Sequence, residues 1–514
     1  MLPTTASDGQ AARAAERAPL LAGVHVPQAR GRAAVVNLLC VVLFVASCGV
    51  GFASIPRTRI LEDLLCRRYY YGDAGASAVD ESLCKEDPIQ QRLALVLAVL
   101  TALDAAVGCV AALPWALVAD KIGRKPVFSL SLLGMVLSAL WTMAVLYFDD
   151  VFPLWLIWFG SAGALVGGGN AVTSGVLMSM TTDATTDDER AIAFMRLNVA
   201  GLAGSLISPA LSSLMMERTG PWPPLWVTIC ILMLSAIAFL FIPETLRRHD
   251  EQKDAHEEAE AGSEPEEGES NPKSRAPHIA IRFKESLSIV KSRSLVLLLI
   301  TCLGATPVLY STLQFMTQFI SKRYAMSLAS TGYVQSAYGV AQALQAVVVL
   351  PWLAKFSMRS TTPARLRARD EHHRDLSIAR VSYVVLVLGI LALAASPGLA
   401  GFVVGLLLMA LGSGFGSLTK SLMSLYVDPE HRSRLFSLVG IVEVVSSIYA
   451  QPLLAGLFTL GMRLGGAWVG LPYYGLAILT AAAGSLLLFV EVPKPVLAAP
   501  PAREEDNHLD GREL

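Results

Sequence analysis

The feature that most constrains this chain is a series of apolar runs, each about as long as a membrane span. A helix that crosses hydrocarbon about 30 Å thick needs about twenty mostly apolar residues. Counting such runs between charged or Pro/Gly breaks gives twelve: 33–55, 93–118, 127–148, 153–180, 191–215, 225–242, 294–320, 331–353, 378–396, 399–425, 435–460 and 472–490. The sequence therefore predicts an all-α membrane protein with twelve transmembrane helices.

Composition supports this prediction and excludes several classes of protein. Hydrophobic residues make up 54% of the chain and charged residues only 16%, whereas an average soluble domain has about 25% charged residues. The 41 basic and 42 acidic side chains nearly cancel, so no global charge favours nucleic acid as a partner. The expected surroundings are a lipid bilayer.

The apolar runs fall into two sets of six, separated by a polar segment. We expect a tail at 1–32, a bundle at 33–242, a linker at 243–293, a bundle at 294–490 and a tail at 491–514. The linker contains the acidic stretch EEAEAGSEPEEGESNPKS, which has too few apolar residues to fold by itself.

Loop charges predict the orientation, because Lys and Arg are enriched in cytoplasmic loops. The loops after helices 2, 8 and 10 are basic and share a side with both tails and the linker, which we assign to the cytoplasm. The loop after helix 1 conflicts in part, since it also appears basic from Arg57 onward. Cys66 and Cys84 share this outer loop, where both a disulfide and two separate thiols are compatible with the sequence.

The two sets of helices are related by an internal repeat. MSMTTD at 178–183 matches MSLYVD at 423–428, and Gly167 and Gly169 match Gly412 and Gly414 at the same offset. Leu-Pro-Trp also recurs at 113–115 and 350–352. Six helices in each half keep the halves in one orientation, which predicts two bundles related by a parallel repeat.

The loop between helices 2 and 3 carries a motif that resembles the signature of the major facilitator superfamily. The residues that match are Asp120, Lys121, Gly123, Arg124 and Lys125, while Ala116 replaces the usual first glycine. The resemblance implies a secondary transporter in which this loop acts as a cytoplasmic gate between the halves. Charge-assisted hydrogen bonds at helix ends can form and break as bundles rock.

Two further segments, in helices 5 and 4, can be compared with the corresponding segments of transporters in that superfamily. Helix 5 contains Gly204, Ser208, Pro209 and Ser212 at the spacing of the exporters' glycine motif, with small residues that allow close packing. Residues 160–170 of helix 4 lack the arginine of many proton antiporters. The segment from Glu62 to Tyr70 resembles fungal members of the drug:proton antiporter type.

Two acids lie inside predicted spans, Asp104 in helix 2 and Glu443 in helix 11. A charge there is costly and normally faces a cavity or a partner. We predict that both bind the coupling protons and that they could approach each other or the substrate path. The alternatives are a structural hydrogen bond to a neighbouring helix, or a protonated acid with no role. Lys420, near the end of helix 10, is expected to reach the interface.

Catalytic and nucleotide-binding motifs are not found in the sequence, and the pair His372-His373 lies in an arginine-rich loop rather than a metal site. We therefore expect no enzyme activity, no cofactor and no metal. The sequence favours a monomeric transporter that exports small amphipathic organic compounds by exchange with protons. The alternatives are a proton-coupled importer of a nutrient or organic anion, or a membrane sensor that transports nothing. The plasma membrane is the expected location, and an acidic dileucine pattern at 16–21 leaves the vacuolar membrane open.

Overall fold

The computed structural model describes residues 31–72, 80–185, 187–243, 292–357, 371–427 and 432–491. Within these ranges the chain is helical, without strands, and its helices fall at the twelve predicted places. They are α1 (Arg32–Tyr71), α2 (Asp87–Ile122), α3 (Arg124–Tyr147), α4 (Leu154–Leu165 and Gly169–Ala184), α5 (Asp187–Thr219), α6 (Trp222–Leu240), α7 (Arg293–Arg323), α8 (Leu328–Ser357), α9 (Glu371–Ala395), α10 (Leu399–Gly412 and Phe415–Met423), α11 (Arg432–Leu464) and α12 (Leu471–Ser485).

Nine helices in the described part of the chain are long and apolar enough to cross a membrane, and three shorter apolar stretches lie in α4, α7 and α10. The predicted all-α membrane fold is confirmed. The predicted tails at 1–32 and 491–514 and the linker at 243–293 lie largely outside the described residues. The boundaries between these segments and the two bundles therefore stay a prediction.

The prediction of continuous helices 4 and 10 was wrong, because each is interrupted. In α4 a 3-10 segment ends at Leu165, and the chain passes through Gly167 and Gly168 at φ values of +79° and +84° before an α-helix resumes. Such positive φ values favour glycine. In α10 the helix stops at Gly412 and resumes after Gly414.

These interruptions fall at repeat-related positions, since Gly169 and Gly414 are separated by the offset of 245 residues (414 − 169) found in the sequence. Helices α5 and α11 are related in the same way. Each has 33 residues and an internal proline, Pro209 in α5 and Pro452 in α11. The structure thus extends the sequence repeat to backbone geometry.

Each half has its own apolar core. Buried residues of α1 to α6 form a core in the first half, and those of α7 to α12, joined by Ala94 and Ala98 of α2, form a larger core in the second. The halves meet where α2 packs on α11 and where α5 packs on α8. A smaller apolar cluster of Ile55, Met216, Leu328 and Ala329 also joins the halves.

Helix α1 corrects the predicted topology, because it does not end near Ile55 but continues for 40 residues to Tyr71. Pro56 lies inside it, and Arg57 is therefore within the helix and not in an outer loop. The loop after the first helix is therefore less basic than the sequence suggested, and its conflict with the predicted orientation is reduced. We call the end of the bundle that carries residues 80–86 the outer end, and the opposite end the inner end, following the predicted orientation.

Cys66 at the end of α1 is joined to Cys84 in a disulfide, with a Cα–Cα distance of 5.2 Å. Both cysteines are buried. The bond closes a loop with a sequence separation of 18 residues. Closing a loop of this length lowers the conformational entropy of the unfolded chain, which stabilises the folded state by about 3 kcal/mol.

Replacing both cysteines by serine is expected to lower the melting temperature of the purified protein. Scanning fluorimetry in detergent measures this, with Cys230→Ser as control, because Cys230 is an exposed free thiol. A double variant that melts with the wild-type protein would show that the bond contributes nothing to stability.

Candidate functional site

A cavity lies between the two halves. Its walls come from α1 and α2 of the first half and from α7 and α11 of the second. Polar side chains line much of it, among them Ser54, Arg57, Thr101, Gln318 and Gln451. Such a polar cavity between two bundles is where a transporter of this architecture binds its cargo.

Arg57 enters this cavity from α1 and is not neutralised by a direct ion pair. Its Nε atom is buried and has no hydrogen-bond partner among the described residues. Asp104 on α2 is close enough to interact with it electrostatically. A buried donor without a partner is costly, so this arrangement needs an explanation.

Asp104 lies in the middle of α2 and is an exposed residue of that helix. The buried hydroxyl of Ser161 on α4 lies beside it without reaching the geometry of a formed hydrogen bond. The neighbours of this predicted acid thus include Arg57, which the sequence prediction had assigned to a loop.

Glu443, the second predicted acid, lies on α11 and forms an ion pair with Lys420 of α10 at 2.6 Å. The sequence did not predict this pairing for Lys420, whose reach toward the interface stays a prediction. Both side chains remain partly exposed, at 32% for Glu443 and 41% for Lys420. Each half therefore has one acid with a basic neighbour.

The two acids do not contact each other. No hydrogen bond or ion pair in the described part of the chain joins Asp104 to Glu443, because each interacts with a basic group of its own half. Of the two possibilities that the sequence left open, contact between the acids or with the substrate path, the first is not seen in this conformation.

At the inner end, the gate motif ties α3 to its neighbours. Arg124 forms an ion pair with Asp183 at the end of α4, and Lys125 donates to the carbonyl of Leu240 in α6 at 2.8 Å. Gly123 has a φ of +116° and lets the chain turn between α2 and α3. Lys121 is exposed, and nothing is described of the Asp120 side chain.

The helix-5 motif is a close-packing surface. A Cβ at Gly204 would lie 2.6 Å from the carbonyl oxygen of Phe44 in α1. The hydroxyl of Ser212 donates to the carbonyl of Phe52 at 2.7 Å, and Ser208 is also buried against α1. Just after Pro209, the N–H of Ala210 donates to Ser336 of α8 at 3.0 Å. The motif therefore packs α5 against both a helix of its own half and one of the other.

A buried network at the outer end was not predicted from the sequence. Glu62 of α1 is fully buried and accepts hydrogen bonds from Arg59 at 2.8 Å, Lys85 at 2.7 Å and Gln90 at 2.6 Å. The disulfide at Cys84 fixes the backbone next to Lys85. A buried carboxylate with three charged or polar donors is well compensated.

The same network joins the two halves through four contacts, which we call the outer latch. Lys322 of α7 also donates to the carbonyl of Lys85. The other contacts across the halves are Gln318 Nε2 to the carbonyl of Gln90 at 2.7 Å, Lys322 Nζ to Asp87 at 2.5 Å, and the N–H of Leu328 to Glu81 at 2.9 Å. The outer end is closed by this latch.

Glu81 gives the latch a defined pH dependence. Partial burial would raise the pKa of this carboxyl, but the N–H of Leu328 and the charges of Lys85 and Arg59 outweigh it and leave the pKa below its usual value. A carboxylate whose pKa is lowered by its contacts stabilises those contacts at any pH above the ordinary pKa of the group. This stabilisation is lost as the pH falls through the lowered pKa.

We therefore expect the latch to stay closed between about pH 7.5 and about pH 5, above the ordinary titration range of glutamate. Glu81→Gln should weaken it throughout this range. Spin labels at Thr219 of α5 and Arg463 of α11, in a protein with exposed Cys230 replaced by Ser, report the distance between the outer ends. Asp150→Asn, at an exposed outer turn, is the control. An unchanged distance distribution in Glu81→Gln would exclude this role.

This arrangement defines a class: a membrane transporter of two similar helical bundles that meet around a polar cavity. The sequence profile of the Major Facilitator Superfamily matches residues 89–367. The MFS efflux pump atnC of Emericella nidulans is 30% identical over 460 residues, covering 87% of this chain and 85% of its own. The chain belongs to the Major Facilitator Superfamily, and it is a transporter rather than an enzyme.

Other relatives agree with this assignment. The efflux pump ustT of Aspergillus flavus is 27% identical over 433 residues, covering 80% of this chain and 79% of its own. Among solved structures, a D-xylose-proton symporter aligns with a TM-score of 0.61 at 12% identity, covering 89% of this chain and 98% of that chain. That likeness supports the fold alone.

Proposed function

We propose that this protein exports small amphipathic organic compounds, such as drugs, toxins or secondary metabolites, by alternating access in exchange for protons. The observation that carries the direction is the relationship over most of the chain to fungal proteins named efflux pumps. The polar cavity shared by the two halves lies where two-bundle transporters bind their cargo.

The proposed coupling uses the acid of each half. Glu443 is partly exposed and balanced by Lys420, so protonation of the carboxylate would release the lysine and break a 2.6 Å contact between α10 and α11. Asp104 interacts electrostatically with Arg57, which lines the cavity, so a proton on this acid would change the charge around that arginine. In this proposal proton binding alters a helix contact in one half and the surroundings of a cavity residue in the other.

Gating in this proposal alternates between the two ends. The outer latch closes one end here, and the pair of Arg124 and Asp183 holds the motif loop at the other. We place the protein in the plasma membrane as a monomer, with the vacuolar membrane as the alternative.

The direction is tested by comparing metabolites between a deletion strain and an overexpressing strain. We expect at least one amphipathic compound to accumulate inside the deletion cells and to decrease in their medium, with the reverse change on overexpression. Loss of a compound from deletion cells would indicate import. If purified protein binds a compound but moves none across vesicles, sensing is the better interpretation.

A further inference from the structure

The first helix of each half contains an internal proline, Pro56 in α1 and Pro307 in α7. A proline has no backbone N–H, so the carbonyl four residues earlier loses its hydrogen bond within the helix. The two freed carbonyls belong to Phe52 and Leu303. Inside a membrane such a carbonyl needs another donor, which a neighbouring helix can supply.

The fifth helix of each half supplies that donor. The hydroxyl of Ser212 on α5 donates to the carbonyl of Phe52 at 2.7 Å, and both residues are buried. The hydroxyl of Tyr449 on α11 donates to the carbonyl of Leu303 at 2.6 Å. Ser446 lies 3.2 Å from the same oxygen but has a shorter bond, at 2.7 Å, to a carbonyl of its own helix. Tyr449 is therefore the main donor in the second half.

The two halves make the same contact from related helices but not from matching residues. Ser212 lies three residues (212 − 209) after Pro209 of α5, whereas Tyr449 lies three residues (452 − 449) before Pro452 of α11. The feature that recurs is therefore the contact itself, a hydroxyl of the fifth helix on a carbonyl that a proline has freed in the first.

The segments that follow the two prolines are 57–71 of α1 and 308–323 of α7, and we call them the gate arms. Arg57 in one arm and Gln318 in the other line the cavity. Glu62 of the first arm belongs to the buried outer network, and Lys322 of the second contributes to the outer latch. A bend at either proline would therefore move latch and cavity residues together.

We propose that Ser212 and Tyr449 are positioning residues that set the balance between the closed and the open outer end. In the closed conformation their hydroxyls satisfy the freed carbonyls of Phe52 and Leu303. When a gate arm bends at its proline this bond breaks, and water from the opened end replaces the hydroxyl at small net cost. This role rests on the alternation of the two ends in the proposed function, but not on the cargo or the direction of transport.

Pulsed electron paramagnetic resonance on the purified full-length protein measures the open and closed populations. Tyr71 and Ala325 are exposed label sites at the outer ends of the gate arms, in a protein with the exposed Cys230 replaced by Ser. Ser212→Ala and Tyr449→Phe should each raise the ratio of open to closed protein by roughly tenfold, because a buried carbonyl without a donor destabilises the closed conformation.

Replacing the prolines separates this role from packing. Pro56→Ala restores the N–H that the Phe52 carbonyl lacks, so in that background Ser212→Ala should change the ratio by less than about twofold. Pro307→Ala should cancel the effect of Tyr449→Phe in the same way. Side chains that only fill space would have equal effects with proline or alanine at these positions.

Matched controls remove hydroxyls that bond within their own helix. Ser205 of α5 donates to the carbonyl of Gly201 at 3.0 Å, and Thr459 of α11 donates to that of Ala455 at 2.9 Å. Ser205→Ala and Thr459→Val should leave the ratio of open to closed protein as it is in the wild type.

An unchanged distance distribution in either Ser212→Ala or Tyr449→Phe would overturn the proposal, as would an effect that persists when the proline is alanine. These outcomes are distinguishable from failure of the proposed function. If both variants open the outer end but deletion cells retain no compound, export fails and the role of the hydroxyls stands. If deletion cells retain a compound but neither variant changes the distances, the role of the hydroxyls fails and export stands.

Discussion

Combining Asp104→Asn with Glu443→Gln is expected to abolish proton-driven transport, leaving only the flux of vesicles without protein. The physical reason is that the proposal assigns proton binding to these two acids, Asp104 beside Arg57 and Glu443 in the α10–α11 ion pair, and neither amide can bind the exchanged proton. Initial rates in vesicles, with and without an imposed proton gradient, measure the effect.

The single variants divide the roles. Glu443→Gln leaves Lys420 partly buried without its counter-charge, so this variant should also alter the α10–α11 contact. Asp104→Asn should leave that contact intact and remove the negative charge beside Arg57. A double variant that retains gradient-driven flux at the wild-type rate would disprove the assignment of coupling to these acids.

The second large effect is expected at the inner end, where Arg124 and Asp183 form a mostly buried ion pair between α3 and α4, with exposures of 17% and 18%. Breaking a buried pair costs about 3 to 5 kcal/mol, and reversing one charge also places two like charges against each other. Arg124→Asp or Asp183→Arg should therefore reduce transport to a small fraction of the wild-type rate.

Exchanging the two residues restores opposite charges, so Arg124→Asp combined with Asp183→Arg should recover a substantial part of the activity. Transport is measured per protein molecule at the membrane, which separates slow transport from poor folding. If both single variants transport normally, the ion pair has no part in gating. If the exchange recovers nothing, the residues act separately and not as a pair.

Most of the architecture could be predicted from the sequence because hydrocarbon imposes a length and an apolar composition on each span. The repeat could also be recognised, and its glycines at 167–169 and 412–414 mark interruptions in both halves. The interruptions themselves were not predicted, since glycine is neutral in hydropathy and its positive φ values are visible only in the backbone.

The first helix shows why the site was only partly predicted. Pro56 and the arginines after it resemble the end of a span, but a proline inside a membrane helix is tolerated where neighbours satisfy the backbone. Arg59 and Glu62 are one turn apart and pair with each other, so their charges can remain in the continuing helix. A signal was available in this i,i+3 spacing.

Contacts between helices were beyond the reach of sequence patterns. Lys420 and Glu443 are 23 residues apart (443 − 420) on different helices, and their 2.6 Å ion pair depends on the rotation of α10 against α11. The outer latch depends in the same way on how α7 and α8 meet the first loop. Hydropathy predicts where a helix lies in the chain and not which face it presents.

The most direct test of proton-coupled export uses inside-out vesicles and the compound that accumulates in the deletion strain. The lumen of such vesicles corresponds to the outside of the cell, so an acidic lumen should drive the compound inward as protons leave. Uptake should stop when an ionophore collapses the gradient and should be absent from the Asp104→Asn, Glu443→Gln double variant. Uptake that ignores the gradient, or that requires an alkaline lumen, would contradict proton-exchange export.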